Sequence, residues 1–369
     1  MKILLCSAYM PPSLVAEFRY ASEAANNFVG RLARELQSEN DVRMLSFYGF
    51  PDEGGWSPKN RIEVSEQNIH FVIRRRGIIG VLDFFRYQWK AFRLMREVDY
   101  VLLYNYYWIN YAILLFARLL GIQTALIIAD HSDTRSCVSL FRRFLAKWAE
   151  RDYRHFDRLI LLSYDLYKRF PHPQKLFFPG AIHMQDYAAF RYRNNKICRY
   201  LYSGLLNEVT GIDLYLSAIQ KTSLQNVEFW FTGRGPLESI IREAAQNDAR
   251  IVYKGFVSRE EYYRILDSVD IVVNPRNMNL PENQNNFPSK IMEYLASGNI
   301  VVSTQFPGWE VFAPHILFCE TSTEGLCQGL LQAFHHRKNG ERIFDQNRDF
   351  VKQYDWGSQT QRLISFLRS

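Results

Sequence analysis

Short apolar runs alternate with amphipathic stretches along the whole chain. Ile3–Ser7, Val42–Phe47, Tyr100–Tyr104, Thr124–Ala129 and Leu159–Ser163 are brief and almost wholly apolar, the pattern of strands buried on both faces of a parallel sheet. Between the first two, Phe18–Gln37 has a helical period with Phe28, Leu32 and Leu36 at core spacing. Residues 181–196 have no clear period and carry Tyr187, Phe190, Arg191, Tyr192 and Arg193, so they are expected to connect two domains. The alternation then restarts: strands Ile197–Tyr202, Val227–Thr232, Ile251–Lys254 and Ile271–Asn274, with helices from Ile212, over Leu237–Ala245 and over Glu260–Ser268. Two successive Rossmann-like α/β halves are predicted, with ligands expected beyond the strand C-termini. Tyr354-Asp355-Trp356 and then Gln359–Arg368 read as a closing helix.

Composition narrows the class. A chain of 369 residues with 47% hydrophobic content is folded and too long for one ordinary core. Its formal charge is +7, and Lys and Arg outnumber Asp and Glu by 25 to 19 over residues 1–190 but only by 20 to 19 beyond. The basic excess of the first half suits an anionic partner, yet no nucleic-acid recognition element accompanies it. Cys6, Cys137, Cys198, Cys319 and Cys327 are odd in number and never spaced Cys-x-x-Cys, so a reduced cytosolic protein with no zinc site is expected. The opening apolar run leads straight into Pro11-Pro12 and reads as a first strand rather than a signal peptide. Tyr107–Ala129 is interrupted by Asn110, Arg118, Gly121 and Gln123, which fits a helix followed by a strand better than a membrane span.

One basic stretch has two readings. Arg74-Arg75-Arg76 precedes Gly77-Ile78-Ile79-Gly80 and then Leu82-Asp83-Phe84-Phe85-Arg86-Tyr87-Gln88-Trp89-Lys90. Bulky apolar residues interleaved with cations suit an element lying on an anionic membrane surface. An ordinary core-facing helix with a solvated basic face has the same composition.

The candidate chemistry gathers around Phe287–Thr304. Pro288 suits a first helical position, Gly298 suits the residue on which a helix ends, and Ile300–Ser303 reads as a buried strand. A helix start carrying Ser289, Lys290 and free backbone N–H groups can hold a phosphate. Glu293, one turn on, is placed to accept hydrogen bonds from a sugar diol; a solvated helix face would carry the same two charges. Gly233-Arg234-Gly235-Pro236 after a strand permits close backbone approach and offers a guanidinium fork. Tyr9 and Pro11 lie in the loop leaving the first strand, and Asn105–Trp108 is a polar, aromatic loop suited either to a sugar or to packing. Asp130-His131-Ser132-Asp133 sits on another strand exit, where His131 is a catalytic or a structural histidine. No Asp-x-Asp occurs, so a metal-bridged diphosphate is not expected.

Pro288-Ser289-Lys290-x-x-Glu293-Tyr294-Leu295-Ala296-x-Gly298 resembles the signature of retaining GT-B glycosyltransferases of family 4. The resemblance implies two Rossmann-like domains facing a central cleft: 1–185 on the acceptor side, 186–353 binding a nucleotide-sugar, and 354–369 as a helix crossing back. Lys175–Gly180 resembles the last strand and Gly turn of the first domain. It implies that Glu293 holds the ribose of a UDP- or GDP-type donor, and that His131 faces the donor sugar. Asn285 stands where the family has a second glutamate on the hexose, and Phe256-Val257 stands where it receives the base. The phosphate loop corresponds to Ser203–Gly211, with Gly204 and Asn207; Leu205 and Thr210 replace the usual Arg and Lys, leaving Arg234, Lys290 and Arg276 as substitutes. With Phe287, Pro288 and Ser289 these complete the expected donor side; Tyr9, Pro11, Asp130 and Asn105 form the acceptor side. The activity implied is transfer with retention, without cofactor or metal, to a saccharide or lipid-linked acceptor in bacterial surface polysaccharide assembly. The place implied is the cytoplasm, at the inner face of the plasma membrane where Arg74–Lys90 binds. The missing basic pair supports an alternative, a catalytically silent GT-B protein that partners an active enzyme.

Overall fold

A computed structural model describes residues 1–10, 23–48, 63–66, 68–75, 77–129, 140–283 and 287–369, and the structural statements below refer to these. Pro11, Arg76, Asp130, His131 and Asn285 lie outside them. The chain divides into two compact units, Met1–Phe178 with Gln359–Ser369, and Pro179–Ser358.

The first unit runs β1 (Lys2–Ser7), α1 (Glu23–Gln37), β2 (Asp41–Tyr48), β3 (Glu63–Glu66), β4 (Ile69–Ile73), α2 (Ile78–Met95), β5 (Tyr100–Tyr104), α3 (Tyr111–Leu119), β6 (Gln123–Ile128), α4 (Leu140–Asp152), β7 (Arg158–Leu161), α5 (Tyr164–Arg169) and β8 (Lys175–Phe177). Its sheet has the order β3-β4-β2-β1-β5-β6-β7-β8, parallel except for the antiparallel β3–β4 pair. Ile3, Leu4, Leu5 and Cys6 are all fully buried, as a strand covered on both faces requires. The direction of winding reverses between β1 and β5, which is where such sheets open a crevice at their carboxyl ends.

The second unit runs β9 (Cys198–Ser203), α6 (Ile212–Lys221), β10 (Val227–Thr232), α7 (Glu238–Asn247), β11 (Ile251–Gly255), α8 (Arg259–Ser268), β12 (Ile271–Asn274), α9 (Lys290–Ser297), β13 (Ile300–Thr304), β14 (Ile316–Cys319), α10 (Thr323–His336) and α11 (Gly340–Val351). All six strands are parallel in the order β11-β10-β9-β12-β13-β14, the 3-2-1-4-5-6 winding of dinucleotide-binding sheets, with its reversal between β9 and β12. Side chains alternate across it. Tyr200, Tyr202, Phe229 and Phe231 pack on one face with α6 and α10, while Leu201, Val272 and Val301 pack on the other with α8 and α9.

Several expectations are modified. Residues 181–196 are packed rather than loose: Ile182, Tyr187 and Phe190 are buried in the second unit's core, and Ile182 pairs with Asp355 through a short parallel bridge. The closing helix, α12 (Trp356–Arg368), belongs to the first unit from Gln359 onward, where Leu363, Ile364 and Leu367 are buried. β3, β4, α4, β14, α10 and α11 have no counterpart among the expected elements. Tyr107–Ala129 contains α3 and β6, and no described helix is long and apolar enough to cross a membrane.

Candidate functional site

The strand ends and loops after β9, β10, β11 and β12 are bolted together main chain to main chain, the β12 loop through Asn277 N–H donating to Val209 O at 3.2 Å. Leu206 N–H donates to Arg234 O at 3.0 Å, Leu237 N–H to Leu206 O at 3.0 Å, and Gly233 N–H to Gly255 O at 2.9 Å. Approach this close excludes side chains. A Cβ on Gly233, whose φ is +133°, would lie 1.8 Å from Gly204 O, and one on Gly235 would lie 2.3 Å from Leu206 O. Gly211, at φ +75°, likewise faces Pro275 O at 1.9 Å. The Gly-x-Gly turn is therefore explained first by loop packing, and only then by what it leaves open to a ligand.

The loop after β9 is closed on itself. Thr210 Oγ1 donates to Leu205 O at 2.7 Å and to Asn207 O at 2.9 Å, while Thr210 N–H donates to Asn207 Oδ1 at 2.9 Å. Tyr202 Oη adds a 2.7 Å bond to Leu205 O. Asn207 thus spends its carbonyl oxygen on the turn, and the Leu205 side chain stands exposed. The buried Asn283 ties the β12 loop to the same place, donating to Val209 O at 2.7 Å and Asn277 O at 2.8 Å. Thr304 Oγ1, at the end of β13, donates to Arg276 O at 2.7 Å. Burial lowers the pKa of the Arg276 guanidinium, with the Tyr202 hydroxyl opposing the shift.

Helix α9 begins at Lys290, two residues after Pro288, so the proline precedes the N-cap rather than occupying the first helical position. Ser289 is the N-cap and makes no side-chain capping bond; Gly298 ends the helix in the left-handed conformation expected of it, φ +79°. Pro288 is buried, and Phe287 packs edge-on to Phe306 at 5.5 Å and beside Phe312 at 5.5 Å, which makes it a packing residue.

Glu293 is held from two sides. Tyr262 Oη of α8 donates to Glu293 Oε2 at 2.9 Å, and Lys290 Nζ donates to the same oxygen at 3.0 Å. Lys290 Nζ also lies 4.2 Å from the centre of the Tyr262 ring. Burial and then the Glu293 charge push the Tyr262 hydroxyl well above its ordinary pKa, so it remains a donor. Glu293 Oε1 has no hydrogen-bond partner among the described residues. Two of these three residues were expected, Lys290 and Glu293 as neighbours; Tyr262, 31 residues upstream of Glu293, was not. Only the burial of one face of α8, where Tyr262 joins Ile265 and Leu266, hints at it.

Arg234 has a different partner. Its guanidinium lies 4.6 Å from the centre of the Phe256 ring, and that ring is 66% exposed. Val257, next to Phe256, packs into the core instead. Thus Phe256 and Arg234 form an exposed, flat, cationic surface, while Lys290 is bound to Glu293.

In the first unit, Tyr9 and Asn105 leave β1 and β5 at the reversal of the winding. Asn105 is buried, adopts φ +58°, and accepts from Ala129 N–H at 2.9 Å through Oδ1. It fixes the exit of β6 just before Asp130 and His131, a positioning duty rather than the solvent-facing one a sugar contact needs. Tyr9 lies over Gly30, where a Cβ would meet its ring at 2.9 Å, and its carbonyl accepts from Ser46 Oγ. Elsewhere, a groove of about 810 Å³ between α6 and α7 is lined by Asp213, Ser217, Glu243 and Arg250, but Arg250 is already engaged by Asp248 and Thr222. No group of acidic, His and Cys side chains among the described residues could hold a metal ion.

Residues 198–336 match the family model described as Glycosyl transferases group 1. No curated protein matches the chain by sequence. Solved structures resemble it throughout. Sucrose-phosphate synthase from Thermosynechococcus elongatus is 12% identical with a TM-score of 0.72, covering 100% of this chain and 98% of that one. The Anabaena protein Alr3699/HepE, solved in complex with UDP, is 12% identical with a TM-score of 0.72 and full coverage of both chains. The lipopolysaccharide outer core galactosyltransferase WaaB is 11% identical with a TM-score of 0.68, covering 100% of this chain and 99% of that one. The fold is of the GT-B type. In GT-B terms, β9 to α10 of the second unit carry the group 1 match, and Arg234, Phe256, Tyr262, Lys290 and Glu293 all fall within it.

Proposed function

We propose that this protein is a retaining, metal-independent glycosyltransferase of family 4 that takes a sugar from a UDP- or GDP-type donor. The acceptor is a saccharide or a lipid-linked saccharide in bacterial cell-surface polysaccharide assembly. The observation that carries this reading is Glu293. Tyr262 and Lys290 fix one of its carboxylate oxygens, and the other remains for a ribose diol. Arg234 on Phe256 supplies a flat ring for a base and a cation for a phosphate, with Val257, Gly204, Gly233 and Gly235 shaping the backbone around it. Lys290, Arg276 and the Pro288-Ser289 end of α9 add positive charge for a leaving diphosphate. Asn285 and His131 are assigned to the hexose, with Asn207 bracing the phosphate loop. Pro11, Tyr9 and Asp130 are assigned to the acceptor side, and Asn105 to holding the exit of β6 beside them. The chain then acts by positioning and charge stabilisation while the donor phosphate assists the acceptor hydroxyl on the same face. HepE, a structural neighbour, was solved with UDP and glucose, in keeping with such a donor. The reading includes a cytoplasmic location, peripheral on the inner face of the plasma membrane.

Isothermal titration with UDP and with GDP tests it. One of them binds saturably, and Glu293→Gln weakens that binding about tenfold, about 1.4 kcal/mol. No saturation by either nucleotide at about millimolar concentration overturns it. One observation favours the silent alternative: the exposed Leu205 and the internally bonded Thr210 leave the β9 loop without a cation. Binding without turnover in a screen of nucleotide-sugars and acceptors would select that reading.

A further inference from the structure

Helix α2 has two opposed apolar stripes. One holds Tyr87, Ala91, Leu94 and Met95 and packs into the sheet's core. The other, Ile78, Leu82, Phe85 and Trp89 at spacings of four, three and four, is exposed to solvent at 81%, 64%, 62% and 64%. A solvated outer face would carry the reverse pattern. Arg75 donates to Asp83 through both its backbone and its guanidinium, so the acidic group of this helix is buried and neutralised. Arg86, Lys90 and Arg93 lie along one flank of the exposed stripe, at helical spacing.

The stripe continues sideways. Trp89 stacks near Phe92, which packs edge-on to Phe116 of α3 at 5.4 Å, and Tyr111 of α3 packs on Trp148 of α4 at 5.0 Å. Leu119 and Trp148 are also exposed. Together α2, α3 and α4 contain eight Lys and Arg against three Asp and Glu. Aromatic and aliphatic side chains standing out of a cationic surface complement the interface of an anionic bilayer, whose headgroups take the charge and whose acyl boundary takes the rings.

We infer that the outer face of α2, α3 and α4 docks this protein on an anionic lipid surface, with Leu82, Phe85 and Trp89 inserted. The inference deepens the peripheral placement proposed above and is independent of the transfer reaction. Within the Arg74–Lys90 stretch it puts the lipid contact on the outer face of α2 and extends it to Arg93, α3 and α4. Arg75 is already committed to Asp83, and Arg86, Lys90 and Arg93 take over the electrostatic part.

Co-flotation of the full chain with vesicles of neutral phosphatidylcholine, or with about one-third phosphatidylglycerol, tests it. Binding is expected to the anionic vesicles, and to fall at about 0.5 M salt. The triple variant Leu82→Ser, Phe85→Ser, Trp89→Ser loses at least about tenfold in partitioning. The variant Arg86→Gln, Lys90→Gln, Arg93→Gln loses the preference for anionic lipid. An unchanged circular dichroism spectrum, and UDP or GDP binding equal to that of the parent chain, show that each variant is folded. No flotation with anionic vesicles overturns the inference, as does equal flotation of the apolar triple variant. A parent dimer that this variant converts to monomer also overturns it, since the face would then belong to a second copy. Loss of flotation with nucleotide binding intact separates this surface from the donor site.

Discussion

The two units share one plan, a parallel sheet wound in both directions, and use it differently. In the second, the loops at the reversal of winding are braced main chain to main chain, and its exposed large apolar side chains are the scattered Ile197, Leu205, Ile240 and Phe256. In the first, exposed large apolar residues crowd one group of helices, with Ile78, Leu82, Phe85 and Trp89 on α2 alone. One sheet invests in the rigidity of its strand ends, the other in the character of its outer face. The same plan of winding thus carries two different characters, braced strand ends in one unit and an apolar outer face in the other.

The largest effect expected from this contrast lies in the glycines. Gly233→Ala puts a Cβ 1.8 Å from Gly204 O, against a wall of main chain that cannot turn aside. A loss of about 3 kcal/mol or more is expected in urea unfolding, together with nucleotide binding. Gly121→Ala in the first unit is the comparison. Its φ is +67° but nothing lies within 4 Å of the added atom, so the cost is only that of the left-handed backbone, about 1 kcal/mol. Equal losses at the two positions would mean that the brace is not rigid.

A smaller effect belongs to Asp83, the buried anchor that orients α2. Burial alone would raise its pKa, but the hydrogen bonds from Arg75 and the charges of Arg75 and Arg86 leave it below the ordinary carboxylate value. Its folded pKa is depressed, so its contribution is complete above the unfolded value and is lost as the pH falls through the folded one. Asp83→Asn is expected to cost about 2 kcal/mol at neutral pH, because Arg75 keeps its charge and loses its partner. The variant and parent should converge on acidification, as followed by urea unfolding across that range. A gap that stays constant down to about pH 2 would show that the pair contributes shape rather than charge.

Much of the framework was legible because parallel strands read as continuous apolar runs, and all five apolar runs named for the first half and all five for the second fall on observed strands. The short β3 was not, since Glu63–Glu66 is polar and acquires its strand character from pairing with β4, whereas Ile69–Ile73 of β4 carries the same apolar pattern as the other parallel strands. Helix α2 was legible as a helix but not in orientation. A sequence apolar on two opposite sides does not say which side the sheet covers. Lys290 and Glu293 could be found from the punctuation of α9, whereas their shared partner is fixed by the packing of α8 on α9, and its only trace is its place on the buried face of α8. Asn105 shows the reverse case: a polar residue in a loop looked like a ligand contact, and its side chain is turned inward to hold β6.

Tyr262 gives the smallest and most discriminating measurement. Tyr262→Phe keeps the ring beneath Lys290 and removes only the hydroxyl that donates to Glu293 Oε2. The ring's burial is unchanged, so the global stability of the second unit should shift by no more than about 1 kcal/mol. Glu293 would then be held by Lys290 alone, on its own helix, and its carboxylate would be free to rotate. If the Oε1 oxygen grips a ribose diol, the affinity for UDP or GDP falls about three- to fivefold, roughly the worth of one positioning hydrogen bond. The same substitution should leave a deoxyribose analogue lacking one of those hydroxyls nearly unaffected, because that ligand never used the geometry Tyr262 maintains. No weakening of either ligand would instead place the nucleotide away from Glu293, on the Arg234–Phe256 surface alone.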